Sequence, residues 1–526
     1  MIHFRFHILA TAFLLAAGGV ASAQTKPAEP SVYLRCDGNP PHRSTGEMLG
    51  RALLLTATLG VAGQGEVQDV SKRAIGNDGI DACTQALQSE TDPIRKVQIM
   101  LARSIHRVEA GDYAGAADDA RNAPPLAGAA GDEVGFRHTL LVSALALQAA
   151  AQLRAGEPAQ AEATAFRMAA AAPYEVITQV QATSYAQLTP NLTPEKQAFL
   201  DRLVKLFPEA LGLRAVVYQW AGKYAEAAAD YAAVIDLRAG FSRSNDPPPM
   251  PDVLALRSVM LAMAGQIDQS AAVAKDAAAM IQFLNTSGKA GTMQASIDAA
   301  EQALDFQAIV ADLNAGRGGV ARIKFAARSR WAVPAAPTVA DLAARLRQGA
   351  PAAELTGPLA ADPATLRTNA LIANAGAITE ANNANANLYG LIRQPISPLA
   401  SYDSWRDDVW NVKDSYFLHQ RAANETYVGD LLLVPTTPRL FKAVHFTTIA
   451  TGEALLLHSA LLAQMRGAKG FALSMGHQQL SILLLHIGNP GEPGLPAAAT
   501  FDAATVIADL SPEFPDPANK AAQKNL

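Results

Sequence analysis

The chain has 526 residues, half of them hydrophobic but only 6% aromatic, and a formal net charge of −5. A mildly acidic balance argues against nucleic-acid binding, which rests on neutralising phosphates with Lys and Arg. The length allows roughly two to four domains. An Ala-rich, aromatic-poor apolar content favours closely packed helices over a β-sandwich.

Residues 1–23 read as a signal peptide. Arg5 and two His form the n-region, Ile8–Val20 is apolar, and Ala21-Ser22-Ala23 before Gln24 fits an A-x-A cleavage site. Removal of this leader with its single Arg5 takes the charge to −6. The residue after the cut is Gln, not Cys, which speaks against a lipid anchor. No later apolar run approaches the ~20 residues that a membrane span needs. The mature chain is therefore expected to be exported, periplasmic and without an integral membrane segment. In an oxidising compartment Cys36 and Cys83, the two cysteines of the chain, are natural partners for one disulfide. Cys83, within GIDACTQAL, would also suit a small buried position on a helix.

Residues 24–45 are a Pro-rich, polar lead-in fastened near Cys36. Residues 46–335 then read as helical. Glu47–Leu59 is a helical apolar run and Ile80–Leu87 a second short helix. Thr91-Asp92-Pro93 opens the next, with Pro tolerated in the first turn. From Ile94 the helices come in pairs. The clearest pair is Leu211–Leu237, folded back at Ala221-Gly222-Lys223. Small residues at Ala215, Gly222 and Ala227 allow close approach, and Tyr218, Tyr224 and Tyr231 fill the crevice. Weaker copies of its turn stand at Ala110–Ala116, Ala155–Ala161, Ala264–Ser270 and Ala315–Ala321.

The Leu211–Leu237 stretch resembles a tetratricopeptide (TPR) hairpin. The turn glycines at 111, 156, 222, 265 and 316 are spaced by 45, 66, 43 and 51 residues. The family period is about 34, so longer linkers or extra helices must intervene. The resemblance implies a stacked helical array that binds a protein or peptide partner. It also implies a binding face lined by the first helix of each pair, Leu211–Trp220 in the clearest copy.

Residues 336–400 read as a linker with short helices such as Val339–Gln348. Its Asn-rich run Glu380–Gly390 is expected to form a loop. In residues 401–511, Leu431–Val434, Phe471–Met475, Leu480–Ile487 and Thr505–Leu510 read as strands, and Thr448–Arg466 as a Leu-rich amphipathic helix. A helix on a small, mostly antiparallel sheet accommodates them. The polar tail 512–526 reads as disordered. The fold class is mainly α: an irregular TPR-like α-solenoid followed by a small C-terminal α/β domain.

Catalytic chemistry finds little support. Ala472-Leu473-Ser474-Met475-Gly476 resembles a nucleophile elbow, but the strand-like LSILLLHIG follows where that motif needs a helix. His486 and Asp509 come in the wrong order for a hydrolase triad. Ser287-Gly288-Lys289-Ala290 lacks the upstream Gly and the following Ser or Thr of a phosphate cradle. His42, His106, His138, His419, His445, His458, His477 and His486 form no HExxH and no ligand spacing with Cys. Asp118-Asp119 and Asp407-Asp408 read as solvated acids. No catalytic residue, cofactor or metal ligand is assigned.

Arg317, Arg322, Lys324, Arg328 and Arg330 fall within fourteen residues without an intervening acid, and Trp331 closes the run. On one helix Lys324, Arg328 and Trp331 would share a face, a candidate surface for an acidic partner or an anionic surface. The function read from these features is an exported scaffold for proteins or peptides. The competing class is an enzyme sited in the C-terminal domain or at its junction with the repeats. A titratable cluster in a deep pocket would favour the enzyme, a long open groove the scaffold. Intact-mass measurement of the exported protein is expected to show Gln24 as the first residue; a retained leader overturns the targeting reading.

Overall fold

A computed structural model describes residues 30–41, 68–241, 249–328, 331, 333, 335–384, 387–393, 409–410, 416–418, 431–435, 440–444, 449–475 and 482–516. The leader, Glu47–Leu59, Arg330, Asp407-Asp408, His42, His419, His445 and His477 lie outside these residues. The fold is mainly α, with a small antiparallel sheet near the C terminus.

The lead-in is pinned as its sequence suggests. Helix α1 (Val32–Asp37) is joined to α2 (Asn77–Ser89) by the Cys36–Cys83 disulfide, both sulfurs fully buried. From α3 (Pro93–Glu109), Arg95 donates two hydrogen bonds to the Asp37 carboxylate, at 2.5 and 2.8 Å. His106 on the same helix meets the Cys36 carbonyl at 2.6 Å through Nε2.

Five helical hairpins follow. They pair α3 with α4 (Tyr113–Asn122), α5 (Val134–Arg154) with α6 (Pro158–Ala171), and, after two further helices, α9 (Leu211–Trp220) with α10 (Tyr224–Phe241). The last two pair α11 (Pro251–Met263) with α12 (Ile267–Thr286), and α13 (Ala290–Asn314) with α14 (Gly318–Ala326). Their turns close alike. Gly111, Gly156, Gly222, Gly265 and Gly316 all have φ between 71° and 81°. Each donates to the carbonyl three residues back, and the next residue donates five back, as Lys223 does to Tyr218. Left-handed backbone is cheap for Gly and ends each first helix with its last carbonyls satisfied. Five positions after each Gly stands Ala116, Ala161, Ala227, Ser270 or Ala321, every one fully buried. There the helices almost touch: Ser104 donates to the Ala116 carbonyl at 2.8 Å, and Ser270 to the Ser258 carbonyl at 2.7 Å.

Two hairpins add a charged clasp at matching positions. Arg103 grips Asp119 through Nε and Nη2 at 2.8 and 2.7 Å, and Arg214 grips Asp230 at 2.9 and 2.6 Å. Each pair sits eight residues before and eight after its turn glycine. The long interval between Gly156 and Gly222 has a plain cause. Helices α7 (Val176–Thr183) and α8 (Pro194–Leu206) are inserted between the second and third hairpins.

The stretch expected to be a linker is, over 335–393, part of the helical body. Helix α15 (Ala336–Arg347) adds Leu342, Ala343 and Leu346 to the core of the last hairpins. Helix α16 (Pro363–Ala384) turns back along the array and carries the first half of the Asn-rich run within it. Its Asn side chains find partners: Asn374 donates to the Gln187 carbonyl at 2.8 Å and Asn382 to the Ile378 carbonyl at 2.9 Å. Ala375, Ile378, Leu388 and Tyr389 pack onto the first two hairpins. These contacts override the weak helix preference of Asn.

The sheet has the order β1-β2-β3-β5-β4-β6, with every pair antiparallel. Its strands are β1 (Tyr416–Leu418), β2 (Leu431–Pro435), β3 (Leu440–Val444), β4 (Gly470–Met475), β5 (Ile482–Gly488) and β6 (Phe501–Asp502). Helix α17 (Ile449–Met465) covers β4 and β5. The expected last strand, Thr505–Leu510, is instead helix α18 (Ala503–Leu510). Asp502 caps it, accepting from the Thr505 N–H at 2.8 Å, and Ala503, Val506 and Leu510 bury a face at helical spacing. The expected disordered tail is ordered through 516. Phe514 is fully buried and its carbonyl accepts from Trp410 Nε1 at 2.8 Å.

The α/β domain is seated on the array. Tyr174 and Leu206 join the core formed by α17, β4, β5 and α18. Gly240 and Gly494 approach so closely that a Cβ on Gly240 would lie 2.5 Å from the Gly494 Cα. Among the described residues one helix, Val134–Arg154, is long and apolar enough to cross a membrane, and most of it is buried inside the fold.

Two substitutions test the hairpin geometry. Gly222→Ala meets no steric obstacle but forces Ala into φ 71°, which should cost about 1–2 kcal/mol. Ala227→Leu overfills the buried crossing and should cost about 1–3 kcal/mol. Denaturant unfolding measures both; an unchanged midpoint for Ala227→Leu would show that the helices do not meet there.

Candidate functional site

Among the described residues, two of the places where polar side chains gather away from open solvent are candidate sites. The first is a cavity of about 270 Å³ where the returning segment crosses the second hairpin. Ala146, Ala150 and Arg154 of α5, Met168 of α6, and Val180 and Gln181 of α7 form one side. Ser184 and Tyr185 follow α7, and Asn382, Asn387, Leu388 and Leu391 close the other side. Its volume suits a chain end or a side chain rather than a drug-sized ligand.

Arg154 is the cation of this cavity. It sits in the last turn of α5, where Nη1 donates to the Ala150 carbonyl at 3.1 Å and Nη2 reaches the Asn382 carbonyl at 3.5 Å. Among the described residues no carboxylate pairs with it. Burial pulls its pKa below the ordinary 12.5, although Tyr185 and Tyr113 act in the opposite sense. A half-buried guanidinium held only by carbonyls keeps donors to spare for an anion.

The second place is the junction between the array and the α/β domain. His138 belongs to a π-helical turn, Arg137–Leu141, inside α5. Glu453 comes from α17, and Glu513 from the segment after α18. His138 Nε2 lies 3.8 Å from Glu453 Oε2 and 3.5 Å from Glu513 Oε2. Burial would depress the imidazole, but Glu513, Glu453 and Glu175 together outweigh it and hold its pKa above 6.5. Glu513 moves the complementary way. Burial raises its pKa, yet His138, a hydrogen bond with Glu453 and Arg137 bring it below 4.5. Beside this cluster Tyr174 donates to Asp509 at 2.5 Å, and Arg393 holds the buried Glu175.

The residues singled out in the sequence fall as follows. Cys36 and Cys83 are bonded. Ser474 and His486 lie on adjacent strands out of register, since Ser474 faces Leu484 and His486 faces Ala472. Asp509 is engaged by Tyr174. The basic run is not one helical face, because α14 ends at Ala326, before Arg328 and Trp331. Its charges are also answered from α13, which supplies acids absent from the run itself. Asp312 accepts from Lys324 and Arg317 at 2.7 and 2.6 Å, and Asp305 pairs with Arg328. Trp331 packs edge-on against Phe306 and stacks on Phe325.

Sequence reasoning missed Arg154 and the His138 cluster. The signals were present but faint: Glu453 is a lone acid in the apolar helix TGEALLLHSALL, and His138 opens the apolar run of α5.

His458, also on α17, bonds the Val409 carbonyl through Nδ1 at 2.7 Å, and burial pushes its pKa down to about 3. The folded state therefore resists a proton that the unfolded chain takes up near pH 6.5. Stability contributed by neutral His458 is complete above about pH 6.5 and is lost as the pH falls toward 3. His458→Gln cannot take up the proton, so its stability deficit against wild type should shrink on acidification. Thermal melts from pH 7.5 to about 4.5 measure this; a deficit independent of pH would refute the assignment.

No family model matches the chain, and no curated protein or solved structure shows significant similarity to it.

Proposed function

We propose that this chain is a binding protein, exported to an oxidising compartment, that holds a protein or peptide partner on its helical array. The observation that carries the reading is Arg154. Its guanidinium lies at the cavity between α5–α7 and the returning segment, without a carboxylate partner among the described residues. The cavity offers a cation, amide groups from Gln181, Asn382 and Asn387, and apolar wall from Ala146, Met168 and Leu388. That combination fits a carboxylate carried on a short apolar stem. The five hairpins supply the rigid support such a site needs. The Cys36–Cys83 disulfide supports the compartment.

An enzyme at the junction is the second reading, favoured by the convergence of His138, Glu453 and Glu513. His138 and Glu453 are almost wholly buried there, which leaves a substrate no approach to either.

The binding reading is tested with short random-sequence peptides bearing free or amidated C termini, selected on the full-length mature protein. Peptides carrying a carboxylate should be enriched, and Arg154→Met should weaken the selected peptides at least about tenfold without altering the melt. Equal retention by Arg154→Met, or no enrichment at all, overturns the assignment of the cavity.

A further inference from the structure

The geometry points to a divalent-cation site at the junction, built from His138, Glu453 and Glu513, with zinc the ion that fits best. Imidazole nitrogen and carboxylate oxygen are both zinc donors. The spacing suits a shared centre, one separation matching it and the other slightly wider. A charge-assisted hydrogen bond draws N and O to roughly 2.7–2.9 Å. His138 Nε2 instead stands 3.5 Å from Glu513 Oε2 and 3.8 Å from Glu453 Oε2. Ligand atoms around a tetrahedral zinc, with bonds of roughly 2.0–2.2 Å, lie roughly 3.3–3.6 Å from one another. All three ligand atoms fall within 4.8 Å of one another.

The surroundings agree. Glu513 divides its oxygens: Oε1 faces Arg137 at 3.4 Å, while Oε2 points at His138, buried and without a hydrogen bond. The nearest positive neighbour of Oε2 is His138, and a cation between the two would make closer contacts to both. His138 is aimed by the π-helical turn, a local widening of the helix that recurs at functional positions. Thr139 and Ser143 take up carbonyls at that turn, donating to Gly135 and Thr139 at 2.5 and 2.8 Å. Three protein ligands leave a fourth position for water. Binding requires neutral His138 and both carboxylates ionised, so the displaced protons leave to solvent.

The three ligands come from the array, from α17 and from the chain end. A bound ion would therefore tie the C-terminal segment and the α/β domain to the second hairpin. Of the three ligands Glu513 alone keeps some exposure, and it lies beside the exposed Arg137 side chain.

The site is independent of the Arg154 cavity, so its test is separate. Untagged full-length mature protein is stripped with chelator, incubated with zinc chloride near neutral pH, and passed through gel filtration. The folded peak is then analysed for metal. Wild type should carry about one zinc per chain and melt higher than the stripped protein. Glu453→Gln and Glu513→Gln keep the size of the side chain and should each reduce zinc affinity at least about tenfold and abolish the rise in melting temperature. Glu513→Gln, at the chain end, serves if Glu453→Gln does not fold. Wild type without zinc in the folded peak, or a folded Gln variant that binds as wild type does, overturns the site.

Discussion

The structure depends on the close crossing of two helices at a small residue five positions past a left-handed glycine. Nearly all dispersion gain in an Ala-rich chain must come from backbones lying close together, because Ala brings little side chain of its own. Ala116, Ala161, Ala227, Ser270 and Ala321 have no exposure at this crossing, and two of the five hairpins bond there through a Ser hydroxyl. The glycine turn sets the approach and the small residue permits it. Either alone leaves a gap or a clash. A chain with 6% aromatic residues can fold this way because the hairpin asks for thinness, not bulk.

That local rule was legible in the sequence, and so the helical body was. The turn glycines and the small residues after them are short-range signals that no distant contact needs to complete. Strands β4 and β5 were legible for a similar reason, each being a run of large apolar residues bounded by turns. What failed to show were features decided by distant packing. The Asn-rich run reads as a loop until the first hairpins are placed beside it. Val506 and Leu510 satisfy a strand pattern almost as well as a helical one. Asp502 is the cap that decides between them.

The charged residues carry the same lesson. The run from Arg317 to Trp331 has no acid of its own and looks like an open basic face. Asp305 and Asp312 meet it from α13, one helix back, and Glu354 meets Arg322 from the segment after α15. Neutralisation across a turn cannot be read by counting along the chain. Arg154 is the converse. It looks ordinary at the end of an apolar helix, and only the returning segment, more than two hundred residues later, encloses it without bringing an acid.

The junction raises the question of why ionisable groups are buried there at all. Apolar residues of similar size would hold the two parts together at least as strongly, since desolvating charges offsets much of their mutual attraction. What charges add is selectivity. The array and the α/β domain meet over Ala, Leu and Phe surfaces, whose attraction has little directional preference of its own. A slide by a fraction of a turn would strand Asp509 without Tyr174 and Glu513 without His138. Each loss leaves a buried charge or hydroxyl uncompensated, and such penalties run to several kcal/mol. The polar cluster thus makes one docking register much better than its neighbours while adding little to the net strength of the interface. Its position supports this: the partners lie about 300 residues or more apart for Tyr174–Asp509 and His138–Glu513, so the register being secured is that of the α/β domain on the second hairpin and the segment after it.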